Sequence, residues 1–100
     1  MVFKFNNNFS QNLNDLVRGI GYKPIGHSDR GELNCVRPLN RDYPRFHLYI
    51  STTPEFLTFS IHLDQKRPSY EGATAHSGDY DSEVVKEEVA IIRDEILGKT

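Results

Sequence analysis

Two histidines and an aspartate carry most of the chemistry this chain can offer. His47 lies in the run Arg-Phe-His-Leu-Tyr-Ile-Ser from Arg45, and His62 and Asp64 close the run Phe-Leu-Thr-Phe-Ser-Ile-His-Leu-Asp from Phe56. Both runs alternate apolar and polar residues, which places successive side chains on opposite faces of a strand. Arg45, His47, Tyr49, Thr58, Ser60, His62 and Asp64 then share one face. Phe46, Leu48, Ile50, Leu57, Phe59, Ile61 and Leu63 share the other. Thr52 to Glu55 form the turn between the runs, so His47 lies opposite Ser60 or His62. Cross-strand neighbours on one face sit about 5 Å apart, within reach of a shared ligand.

That face admits two kinds of chemistry beside the plain alternative of a solvated sheet surface. Arg45, His47, Tyr49 and His62 could hold an anionic ligand or a protein partner, with Arg giving charge, Tyr stacking and His a titratable donor. His47, His62 and Asp64, joined by His76, could instead hold a transition metal, which could serve a small hydrolase. No zinc signature of conventional spacing accompanies them.

The stretch from Gln65 to Tyr80 extends the first possibility. Lys66, Arg67, Tyr70, His76 and Tyr80 mix positive charge with aromatic rings around Pro68 and Gly72. Such a mixture can grip a phosphate or stack on a base, and a loop this long in a small domain is often functional. The ligand-binding set is therefore Arg45, His47, Tyr49, His62, Lys66, Arg67 and His76. Arg37, Arg41 and Arg45 cluster in sequence around Pro38 and Pro44 and could form an anion patch, or pair with Asp42, Asp64 or acids of a helix. Cys35 sits in an apolar alternation and reads as a small core residue. No nucleophile elbow, phosphate-binding glycine loop or paired-cysteine motif is present, so nothing argues positively for an enzyme and no cofactor is implied.

The elements that must position these residues follow from the same patterning. Val2 to Phe5 reads as an edge strand or an arm laid on the core. Leu13, Leu16, Val17 and Ile20 give a short helix over Ser10–Ile20, with Ser10 as N-cap and Gly19 and Gly21 at its end. Tyr22 to Leu39 reads as a hairpin with a turn at Ser28–Gly31; Pro24 suits its first strand to an edge. The last helix runs from about Ser82 to Leu97, with Asp81 as N-cap. Its seam is Val85, Val89, Ile92 and Ile96, widened by Val84, Ile91 and Leu97. Asp79, Asp81 and Glu83 near its start are explained by the helix dipole. The expected fold is α+β: an antiparallel sheet of about four strands, order α-β-β-β-β-α, with both helices on its apolar face.

One hundred residues make a single domain spanning 1–100. The net charge of −2 argues against a general nucleic-acid binder, which usually carries a clustered basic excess. A single cysteine fits a reducing, cytoplasmic setting. No apolar run is long enough to span a bilayer, and Met1 to Asn8 lacks a signal core, which reads as an intracellular, complete chain. An edge strand could support a homodimer.

The chain resembles short bacterial proteins of about this length whose activity is not known. The matching runs are Arg37-Pro38-Leu39, Tyr43-Pro44-Arg45-Phe46-His47-Leu48-Tyr49, Ile61-His62-Leu63-Asp64-Gln65-Lys66 and Ala75-His76-Ser77-Gly78. The resemblance implies no activity. A weaker likeness, of topology alone, is to double-stranded-RNA-binding domains. These place lysines at the start of the second helix to hold phosphates, where this chain has Asp79, Asp81 and Glu83. The expectation is a non-catalytic binding module that acts through the polar sheet face and the 65–80 loop.

Overall fold

The computed structural model describes residues 1–39, 42–65, 78–79 and 82–98. The order of elements is β1 (Val2–Asn6), α1 (Leu13–Gly19), β2 (Lys23–His27), β3 (Leu33–Pro38), β4 (Arg45–Thr52), β5 (Phe56–Asp64), β6 (Gly78–Asp79) and α2 (Glu83–Leu97). Five strands run across one antiparallel sheet in the order β1-β5-β4-β3-β2, and the two-residue β6 joins β5. The fold is α+β as expected, but with more than four strands and with a strand ahead of the first helix. Val2–Asn6 is that extra strand. It pairs with β5 from Val2↔Ser60 to Asn6↔Phe56. Alternation puts Phe3 and Phe5 inward, where their rings meet Phe59 at 5.3 and 5.2 Å. Burying aromatic area of this kind is worth about 1.5–3 kcal/mol per side chain, enough to hold a short strand on an edge.

The inward face of the sheet forms the core. Leu33, Cys35, Phe46, Leu48, Ile50, Leu57, Phe59, Ile61 and Leu63 pack with Leu16, Val17 and Ile20 of α1 and Val85, Val89, Ile92 and Ile96 of α2. Both helices therefore cover the apolar face. Cys35 is a free, buried thiol within this core. Val84, Ile91 and Leu97 do not widen the seam of α2: they are 47, 52 and 60% exposed. The reason is angular, because at 100° per residue these positions lie outside the arc set by 85, 89, 92 and 96.

Helix starts differ from expectation because a better-placed oxygen competes for the orphan amides. Asn12 rather than Ser10 caps α1, accepting from the Asp15 amide at 2.9 Å. Ser82 caps α2, accepting from the Val85 amide at 3.3 Å. Asp81, the expected cap, lies outside the described residues. After α1 the chain reverses at Gly21, whose φ of 92° favours glycine.

The outer strand β2 carries Pro24, and its register with β3 shifts between Pro24 and Gly26. A proline and a bulge on an edge both discourage pairing with another chain. The central hairpin has the register His47↔His62 and Arg45↔Asp64, which resolves the choice of partner for His47 in favour of His62. A cis peptide joins Tyr43 to Pro44 at the entry to β4. No described helix is long and apolar enough to cross a membrane.

A buried charged group lies on the helical side. Glu88 is only 4% exposed. Arg37 grips it with two bonds, Nε to Oε2 at 3.0 Å and Nη2 to Oε1 at 2.7 Å. The Tyr22 hydroxyl donates to Oε2 at 2.6 Å. Three donors compensate the carboxylate for lost hydration. Arg37 reaches it because its partner in the ladder is Phe46, which places Arg37 on the inward face.

Candidate functional site

The outward face of β3, β4 and β5 gathers the polar residues singled out in the sequence. Register alone places Asn34, Arg45, His47, Tyr49, Ser60, His62 and Asp64 there. Val36 stands opposite His47 on β3 and is buried without belonging to the core cluster. It gives the polar group an apolar flank. His47 departs from the expectation of a solvated histidine: only 7% of it is exposed. Its ring lies 4.6 Å from that of Tyr49 in a stacked arrangement and 4.9 Å from that of His62.

Asp64 is the centre of the arrangement. Its Oδ2 lies 3.1 Å from Arg45 Nε and 3.0 Å from His47 Nδ1. Its Oδ1 lies 2.7 Å from His62 Nε2. The reach across the sheet is possible because Asp64 is two residues beyond His62 on the same face of β5, diagonal to His47. On its other side, His47 Nε2 contacts Asn34 Oδ1. Asn34 belongs to β3 and is paired with Tyr49.

The electrostatics follow from this packing. Burial pushes the His47 imidazole below its ordinary value, against the pull of Asp64, with His62 and Arg45 adding to the depression. For Asp64, burial raises the carboxyl, but the Arg45 hydrogen bond and the two histidines outweigh it and hold it below the usual range. Asp64 is thus an anion that accepts only.

His47 Nδ1 and Asp64 Oδ2 lie 3.0 Å apart, a contact satisfied by a proton on Nδ1 or by a cation held between the two atoms. His47 Nδ1 or Nε2, His62 and Asp64 each offer an atom within 4.8 Å of the others. Ligands of a tetrahedral zinc, with bonds of about 2.0–2.2 Å, are roughly 3.3 Å apart, a separation comparable to the spacing of these atoms.

The remaining expected residues divide. Arg45, His47, Tyr49 and His62 do share the face. Lys66, Arg67 and His76, with Tyr70, Tyr80 and Arg41, lie outside the described residues. The arginine patch at the bend does not form between Arg37 and Arg45. The ladder pairs Pro38 with Arg45 and Arg37 with Phe46, so the two arginines leave the sheet on opposite faces, each bound to its own acid. Sequence reading passed over Asn34 and Glu88. Asn34 sits among strand-forming residues, and its role depends on the neighbouring strand. Glu88 occupies a buried helical position between Val85 and Ile92, a signal that the seam carries a charge. No family model, curated protein or solved structure matches the chain.

Proposed function

We propose that the protein is a small metal-binding module that takes a first-row divalent ion on its outward sheet face. Its ligands would be His47 Nδ1, His62 Nε2 and a carboxylate oxygen of Asp64. The observation that carries this reading is the convergence of one ligand atom each from His47, His62 and Asp64, all within 4.8 Å of one another, with Asn34 Oδ1 set against the far ring nitrogen of His47. Metal-bound histidines commonly donate their other ring proton to an oxygen that fixes the tautomer. Asn34 has that place.

Two nitrogens and one carboxylate suit zinc, nickel or cobalt, whereas calcium and magnesium favour oxygen sets. The same geometry argues against the bare face as an anion site, because Asp64 already occupies Arg45. A role on double-stranded RNA gains no support either: the first turn of α2 carries Glu83 and no described lysine before Lys86.

Thermal unfolding of protein purified without an affinity tag, with and without Zn2+ or Ni2+, tests the proposal. Saturation at 100 times the dissociation constant adds about 2.7 kcal/mol, a rise of about 10 °C or more for a domain of this size. His62→Ala abolishes the rise. Equal melting temperatures with and without these ions, together with no stoichiometric metal by elemental analysis, would remove the metal reading.

A further inference from the structure

From the charges around Asp64 we infer that the loaded site captures an oxyanion, a phosphate or carboxylate group, as an added ligand of the metal, with Arg45 as its second contact. The inference rests on the metal reading above and adds the class of molecule that the metal recruits. The three protein ligands found among the described residues leave a tetrahedral ion one place short. His47 is buried, with Val36 opposite it, Tyr49 stacked on its ring and Asn34 at Nε2, so we place the open position on the other side, where Arg45 bonds Asp64.

The charge balance changes sign of purpose on loading. In the metal-free cluster, the charges of Asp64 and Arg45 cancel at 3.1 Å. A dication brings the group to a net charge of +2, concentrated beside a partly desolvated arginine whose side chain is 24% exposed. Like charges so placed repel each other, and an oxyanion set between metal and guanidinium relieves that repulsion while filling the open coordination position.

Arg45 is arranged for this. It meets Asp64 through Nε, the inner nitrogen of the fork, and its guanidinium lies over the Tyr43 ring at 4.7 Å. The contact with Asp64 thus does not use the two terminal amino groups of the fork. Guanidinium forks match the oxygens of phosphate and carboxylate. The metal-free face is then a poor anion site and the loaded face a good one, so the expected preference of this face for anions becomes conditional on the ion.

The test uses the full chain with one equivalent of Co2+, whose visible d–d absorption reports coordination. Inorganic phosphate and, separately, acetate are titrated into cobalt-loaded and metal-free protein, with binding heat measured in parallel. The expected result is a change in the cobalt spectrum with at least one of the two anions, and binding at least tenfold tighter to the loaded form. Which anion binds more tightly tells a phosphate-bearing from a carboxylate-bearing ligand. Arg45→Gln should retain the cobalt spectrum and weaken the anion about tenfold, while Arg45→Lys recovers part of the loss. Cobalt binding with no response to either anion would overturn the inference and leave the metal reading standing. Equal anion binding with and without cobalt, or an anion response unchanged in Arg45→Gln, would also overturn it. Failure of cobalt to bind would sink both.

Discussion

His47 Nδ1 lies 3.0 Å from Asp64 Oδ2 although the two residues are not partners in the ladder: His47 is paired with His62, and Asp64 with Arg45. The contact is diagonal, and it turns a row of polar side chains into one connected group. Arg45, His47 and His62 all contact Asp64, which puts this residue at the junction of the group.

Asp64→Asn removes the charge that Arg45, His47 and His62 share and sets an amide group against at least one of their N–H donors. Hydrogen bonds to charged groups contribute about 1.5–3 kcal/mol. The variant should lose roughly 1–3 kcal/mol of stability in urea unfolding without metal, and the stabilisation by Zn2+ should disappear. A variant as stable as the parent, and still stabilised by zinc, would show that Asp64 is a bystander.

Asn34 touches no proposed metal ligand atom, yet it holds the far nitrogen of His47. Loss of such an orienting oxygen typically weakens a metal site 10–100-fold. Asn34→Leu should therefore weaken zinc by about that factor in competition with a chelator, whereas Asn34→Asp, which also accepts from Nε2–H, should bind at least as tightly as the parent. Unchanged affinity in Asn34→Leu would mean that the Nε2 contact does not set the tautomer.

On the helical side, Glu88 is a structural residue. Removing one partner of a buried pair costs about 3–5 kcal/mol, toward the lower end here because Arg37 is one-third exposed. Glu88→Leu alone should approach that loss in chemical denaturation. Combined with Arg37→Met and Tyr22→Phe it should recover most of it, since no buried polar atom is then left without its partner. Zinc binding should be the same in both, because this network lies on the other face.

Burial pushes the Cys35 thiol up to about 12 and the Tyr22 hydroxyl well above its ordinary value, with Glu88 reinforcing the shift. Both groups are raised, so their contribution to stability is complete below the unfolded values of about 8.5 and 10 and is lost as pH climbs above them. Unfolding free energy should fall from about pH 9 upward. Cys35→Ala should flatten the first part of that fall, between about pH 8.5 and 12. Native Cys35 should also resist thiol reagents at pH 8, reacting at the rate of unfolding. Rapid modification of the folded protein would contradict its burial.

Much of this was legible from period-two alternation. It separated the two faces of β4 and β5, and it put His47, His62 and Asp64 on one side. It could not supply register: a one-residue choice at the turn decided between Ser60 and His62 as the partner of His47. Nor could it see across three strands, which is why Asn34 went unnoticed. Parity also undid the arginine patch. Arg37 and Arg45 are close in sequence, but the bend between β3 and β4 returns them to opposite faces. The burial of His47 has a similar origin, since polar neighbours cover it as effectively as a core does. Val2–Asn6 became a strand because Phe3 and Phe5 had Phe59 to pack against, a partner more than fifty residues away in the chain.

The central claim is tested most directly by diffraction from a crystal grown with one equivalent of Zn2+, with data collected at the zinc absorption edge. The account predicts one anomalous peak at about 2.0–2.2 Å from His47 Nδ1, His62 Nε2 and an Asp64 oxygen, with Asn34 Oδ1 still against His47 Nε2. A peak at other residues, or an unoccupied cluster in which His47 Nδ1 donates a proton to Asp64, would contradict it.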